Sequence, residues 1–402
     1  MIRRLLGTMA ARLPERLQLR LNPRKYGFTT GDVPRPVVAP SGSTRLYIAP
    51  VNFAGQGQLW ARAAERLDGV GARNMAYSPE GGFAFRSDDE VPVAVFAKSR
   101  DWQRRQFRAV SRGFTHVLIE AERPLFGSLF EQSGAGTAET TFAEVEALRA
   151  AGLRTAMVCH GSDIRLPSRH AASEPDSPFA TPPGGVPAYA DTERLEVVAA
   201  HHRELLDRIG GPVFVSTPDL LVDVPEGVWL PVVVAPHWFE VHEPVLERPR
   251  PVVVHVPSRA GMKGSELIEA TMQRLDAEGL ITFERRDGVP AAEMPEVYGA
   301  ADIVLDQFAL GSYGVAACEA LAAGRLVICH VSDSVREHVR ASTRSDVPLL
   351  EARAADLERV LREVVADRAR YRQLAEQGRE FAREVHDGRR SAEVLRDHFL
   401  AR

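Results

Sequence analysis

Apolar residues in this chain fall into short dense runs separated by longer stretches with helical spacing. From residue 45 the runs "RLYIAP" (45–50), "ARNMAY" (72–77), "VPVAVF" (91–96), "THVLIEA" (115–121), "RTAMVCH" (154–160), "PVFVST" (212–217) and "VWLPVVV" (228–234) read as strands. Helical patterns lie after the glycine turn "NFAGQGQ" and at 100–112, 140–151 and 192–208. The Pro-, Ser-, Gly- and Ala-rich stretch 166–190 reads as a loop beside a site. "HWFEVHEPVLERPRP" breaks the rhythm, which restarts with strands at 251–258, 280–285, 303–308, 326–331 and 347–352. Helices are predicted at 264–278, 291–301, 314–323, 354–367, 368–384 and 388–400. Such alternation predicts parallel sheets covered on both faces.

At 402 residues the chain is too long for one ordinary core. The pattern divides it into a basic arm (1–40), an N-terminal Rossmann-like domain (41–236), a linker (237–250), a C-terminal Rossmann-like domain (251–385) and a closing helix (386–402) that crosses back to the first domain. The expected class is α/β, with two doubly wound parallel-sheet domains facing each other across a cleft. Ligands of open parallel sheets bind past the carboxyl ends of the strands. Each strand-to-helix loop is therefore a place to look for chemistry.

Composition narrows the picture. The formal charge of −4, with both signs interspersed, gives no case for nucleic acid. The three cysteines, Cys159, Cys318 and Cys329, are spaced like no metal site and fit a reducing cytoplasm. The first 25 residues differ, with seven basic side chains and one acid, Glu15. Ile2, Leu5, Leu6, Met9 and Leu13 share a helical stripe that fits peripheral contact with an anionic membrane; packing on the protein itself and targeting are competing readings.

Two loops of the second half carry the strongest signals. Of 50 basic residues only Lys25, Lys98 and Lys263 are lysines. Lys263 stands in "SRAGMKGSELIEA" (258–270), between a strand and a helix, four residues after Arg259. A helix start holds anions through its unpaired N–H groups, and an arginine fork beside a compact ammonium suits a diphosphate. The second loop, in "DQFALGSYGVAACEALAAG" (306–324), has Gly311, Ser312, Tyr313 and Gly314 before a helix that carries Glu319 among apolar neighbours. A lone carboxylate there needs donors, which ribose hydroxyls or a structural partner would supply.

Together these loops, "AADIVLDQF" (300–308) and the tail "REFAREVHDGRRSAEVL" (379–395) resemble the donor half of GT-B glycosyltransferases of the GT4-like retaining group. The resemblance covers roughly residues 250–400 and extends more loosely over the first half. It implies that Arg259 and Lys263 bind the diphosphate of a UDP- or GDP-linked sugar and that Glu319 binds the ribose. It also implies backbone base contacts near Gly288 and Val289, and no cofactor or metal. His160, in "CHGSDIR", matches a histidine that bonds the donor sugar, with Asp163 and Arg165 as acceptor contacts. Gly55, Gln56 and Gly57 match a glycine loop. The implied activity is hexosyl transfer to an acceptor hydroxyl with retention. One position departs from the pattern: the family's first glutamate, eight before the second, is Gly311 here. Ser312, Tyr313, Asp306 and Gln307 are candidate substitutes.

Other motifs point to structure. "DDE" (88–90) reads as a solvated turn, Glu120, Glu122 and Arg123 as a self-satisfied ion pair with an acceptor role as the alternative, and His255 as a core histidine. No nucleophile elbow or Walker loop is present. A nucleotide-sugar epimerase or hydrolase, a non-catalytic scaffold, and a membrane-associated assembly component are the rival readings.

Overall fold

The computed structural model describes residues 14–401 apart from 22, 79–84, 133, 135, 182–184, 186 and 188. The apolar stripe expected within the arm, through Leu13, lies outside the described residues.

Twelve strands form two sheets. The first contains β1 (Thr44–Ala49), β2 (Val70–Ser78), β3 (Asp89–Pro92), β4 (His116–Glu120), β5 (Arg154–Cys159), β6 (Val213–Val215) and β7 (Val228–Trp229), in the order β3-β2-β1-β4-β5-β6-β7. The second contains β8 (Val252–His255), β9 (Thr282–Arg285), β10 (Ile303–Leu305), β11 (Leu326–Cys329) and β12 (Leu350–Glu351), in the order β12-β11-β10-β8-β9. Every described ladder is parallel, as the alternation requires. Leu46–Ala49 of β1, Val117–Ile119 of β4 and the whole of β10 and β11 are buried apolar runs, as parallel strands covered on both faces require.

The expected strand at 91–96 is corrected. β3 ends at Pro92, and Val93–Lys98 is a helix that buries Val95 and Phe96. A short apolar run fits either period, and proline, which lacks a donor, stops the ladder. "DDE" is not a solvated turn. Asp88 accepts from Arg62 and the Asn74 backbone, both at 2.9 Å, and Asp89 pairs with Arg73. Within the stretch read as loop, Pro167–Ser173 is a helix.

The chain divides into two compact units, Met1–Val158 with Leu205–Pro212, and Cys159–Glu204 with Val213–Arg402. In the first, the arm helix Glu15–Leu21 packs on the protein itself. Leu19 is buried, and Glu15 accepts from Ser99 Oγ and from the Asp101 N–H (2.9 Å) at the start of helix Arg100–Gly113. In the second, Val253, Ile268, Met272, Ile303, Leu305 and Leu361 anchor the core. Buried Asp302 ties the linker to it, accepting from Leu246 N (2.6 Å), Val252 N (2.8 Å) and Arg248 (2.9 Å). Residues 386–391 bond to 231–234: His386 Nδ1 donates to the Val232 carbonyl and Ser391 Oγ to Pro231, both at 2.8 Å.

Candidate functional site

The second unit gathers most of the expected residues at one edge. Because β8 to β12 are parallel, the loops after them leave from the same carboxyl end of the sheet. The connection after β8 carries Arg259 and, at the end of the one-turn helix Ala260–Lys263, Lys263; the loop after β9 carries Gly288 and Val289. The loop after β10 runs from Asp306 to Gly314, where helix Val315–Ala322 begins. The Phe308 N–H donates to the Lys263 carbonyl (2.9 Å), joining the two central loops.

Lys263 forms an ion pair with Asp306 Oδ1. The lysine side chain keeps 18% of its surface and the aspartate only 1%. The other oxygen, Asp306 Oδ2, accepts no hydrogen bond among the described residues. Arg259 is exposed and reaches Ser162 Oγ at 3.5 Å. Glu319 is partly buried, and burial pushes its carboxyl up to about 8; the Trp238 hydrogen bond opposes the shift, Asp306 adds to it and Lys263 opposes it. Lys263, Asp306 and Glu319 are therefore one electrostatic group. Its cation is already balanced and its second carboxyl is neutral at neutral pH. Trp238 meets the expected need of Glu319 for a donor; it lies in the stretch whose sequence marks it only as linker.

The 311–314 loop is held from inside. Gln307 Nε2 donates to the Ser312 carbonyl, and Gln307 Oε1 accepts from Leu310 N (2.9 Å). Ser312 Oγ donates to Asp219 Oδ1 (2.5 Å), and Asp219 pairs with buried Arg165. Burial alone would raise the Asp219 carboxyl; Arg165 and the Ser312 and Thr217 hydroxyls outweigh it and hold it below its ordinary value. Arg165 thus serves the loop, since its charge is spent on Asp219. Tyr313 is a core residue, 2% exposed, with its ring edge-on to His386. At Gly314 the space is open, with nothing within 4 Å of an added Cβ.

His160 follows β5 and is half-buried. Its own N–H and that of Gly161 donate to Asp163 (2.8 and 2.5 Å), so the Asp163 carboxylate shapes the loop. In the first unit, Gly57 lies against Asn74 and Glu120, where a Cβ would come within 2.6 Å of Asn74 Nδ2. Glu120 accepts from Val51 N (3.3 Å) and Asn52 N (3.0 Å), and Gln56 is buried. Tight folding around Glu120 thus accounts for Gly57, while Gly55 (φ +75°) caps the following helix. His255 is a core residue as expected, donating from Nδ1 to Leu305 O (2.9 Å).

Sequence reasoning missed a polar cluster at the same edge. His330, directly after β11, bridges Glu351 Oε1 (Nδ1, 2.7 Å) and Glu174 Oε2 (Nε2, 3.0 Å). Burial lowers its pKa, but the bonds to both carboxylates prevail and raise it. Arg353 reaches Glu174 at 3.3 Å and Asp176 at 3.4 Å. The position of His330 at a strand end was the available signal.

No family model matches the chain, and no curated protein does. Solved structures do match over nearly their whole length. Sucrose-phosphate synthase from Thermosynechococcus elongatus is 13% identical, with 89% of this chain and 99% of that one covered at a TM-score of 0.53. The fold is GT-B. The catalytic domain of starch synthase IV from Arabidopsis thaliana, bound to ADP and acarbose, is 11% identical, with 89% and 99% covered and a TM-score of 0.52. A glycosyltransferase from Rickettsia africae is 12% identical, with 88% and 97% covered and a TM-score of 0.51. At such identities the likeness to these GT-B structures concerns the backbone. Among the described residues no helix is long and apolar enough to cross a membrane.

Proposed function

We propose that the chain is a glycosyltransferase that moves a hexosyl group from a nucleoside-diphosphate sugar to an acceptor hydroxyl. The observation that carries this reading is the grouping of Lys263 and Asp306 with Glu319, which stands on the helix capped by Gly314, where the space is open. The ammonium and the N–H groups of that start would receive the diphosphate, with Arg259 as a second cation. These charges stabilise the leaving diphosphate as the glycosidic bond breaks, so the reading needs no metal. Neutral Glu319 accepts and donates to the ribose hydroxyls, and His160 bonds the sugar. By resemblance to the GT4-like group, transfer retains the anomeric configuration. A cytoplasmic location, with the apolar stripe from Ile2 to Leu13 of the arm against an anionic membrane, completes the proposal.

The test is release of nucleoside diphosphate from UDP- and GDP-sugars, with and without candidate hydroxyl acceptors. Acceptor-dependent release supports transfer; equal release without acceptor favours a hydrolase. One observation favours a second reading, a scaffold that binds nucleotide without catalysis. Asp306 already balances Lys263, which reduces the charge left for a leaving group. Binding without release from any sugar donor would select it.

A further inference from the structure

Glu174 ends helix Pro167–Ser173, and its carboxylate is carried to the carboxyl edge of the second sheet. The segment bearing it is fixed there. His170 Nε2 donates to the Leu310 carbonyl (3.3 Å), and Phe179, Leu195 and Met262 form a small core with Leu310 against it. Glu174 Oε2 accepts from both His330 and Arg353. Oε1 accepts no hydrogen bond among the described residues and lies over Gly311, 2.6 Å from where a Cβ would stand. Gly311 has φ +65°, and any side chain there would displace this oxygen. The loop thus leaves room for a carboxylate oxygen delivered from another segment.

The chemistry of that oxygen selects its ligand. A carboxylate repels a diphosphate, so the phosphates belong at Lys263 and Gly314 and not here. With an imidazole and a guanidinium already on the same carboxylate, a further cation gains little. Hydroxyl donors fit: each can give a charge-assisted hydrogen bond to a fixed oxygen without adding charge. We infer that Glu174 Oε1 accepts hydroxyl hydrogen bonds from the sugar ring of the nucleotide-sugar substrate, with His330 and Arg353 positioning it over Gly311. This inference rests on the function proposed above. Glu174 is then a specificity-determining residue, and the sugars it selects carry hydroxyls on the ring face turned toward the 311–314 loop.

Glu174→Gln is the informative variant. Its carbonyl can keep the bonds from His330 and Arg353, while its amide replaces the accepting oxygen by a donor. The experiment is calorimetric titration of wild type and Glu174→Gln with UDP, GDP, UDP-glucose and GDP-mannose. The inference expects the variant to bind the bare diphosphates within about twofold of wild type, and the matching sugar conjugates about tenfold or more weakly, the scale of one lost hydrogen bond to a charged group. Retained diphosphate binding shows that the variant is folded. Unchanged affinity for the sugar conjugates, or an equal loss for diphosphates and conjugates, overturns the role of Glu174 and leaves the proposed function standing. A wild-type chain that binds none of the four overturns the proposed function and this inference with it.

Discussion

Lys263 and Asp306 form an ion pair in which the carboxylate is almost wholly enclosed while the lysine side chain keeps 18% of its surface. Under the proposed function the lysine has two duties, to balance a buried charge and to present donors to an anion. Lys263→Ala is expected to lower turnover about 10²-fold and to destabilise the fold by about 3 kcal/mol, because Asp306 is left unpaired. A Lys263→Met/Asp306→Asn pair separates the duties. It should recover most of the melting temperature and none of the turnover.

The Glu319 carboxyl gives a pH signature. Burial raises it from 4.5 to about 8, so the unfolded chain releases this proton first as pH rises. Its contribution to stability is complete below about pH 4.5 and is lost progressively up to about pH 8. The melting temperature of Glu319→Gln minus that of wild type should grow from pH 5 to pH 8 and then level. A difference independent of pH would show that Glu319 ionises normally.

Because Glu319 is neutral at pH 7, glutamine is a near replacement in nucleotide binding too. Glu319→Gln is expected to bind a nucleoside diphosphate within a few-fold of wild type, and Glu319→Ala about tenfold more weakly. Equal affinities for Glu319→Ala and wild type in titration calorimetry would remove Glu319 from the ribose site.

Gly311 and Glu174 should be energetically coupled. Gly311→Ala meets a left-handed backbone and the Glu174 carboxylate together, and should cost about 1–2 kcal/mol for the backbone alone. The cost should shrink in a Glu174→Ala background, read as a double-mutant cycle in denaturant melts. Additive costs would mean that the two do not touch.

How much of this was legible in the sequence depended on separation along the chain. The strands and the two cation and glycine loops could be read because each lies within one strand–loop–helix stretch. The helix Val93–Lys98 could not, since a short apolar run carries no period of its own. Asp306 was named as a candidate, but its pairing with Lys263 spans 43 residues and has no local trace. The bond from His330 to Glu174 spans 156 residues. Trp238 sat in a stretch whose broken rhythm marked it as linker and nothing more. Tyr313 stands among the glycines of the 311–314 loop and so is grouped with them by sequence, although its ring is core. Side chains that complete a charge or fill a core are chosen by tertiary contact, which periodicity does not record.

The central claim is that Lys263 and the helix start at Gly314 receive a diphosphate. The most direct measurement is calorimetric titration of wild type and the Lys263→Met/Asp306→Asn variant with UDP, GDP and ADP. The account predicts binding of at least one diphosphate by wild type and a loss of about tenfold or more in the folded double variant. Equal affinity in the two proteins, or no binding of any diphosphate by wild type, would contradict it.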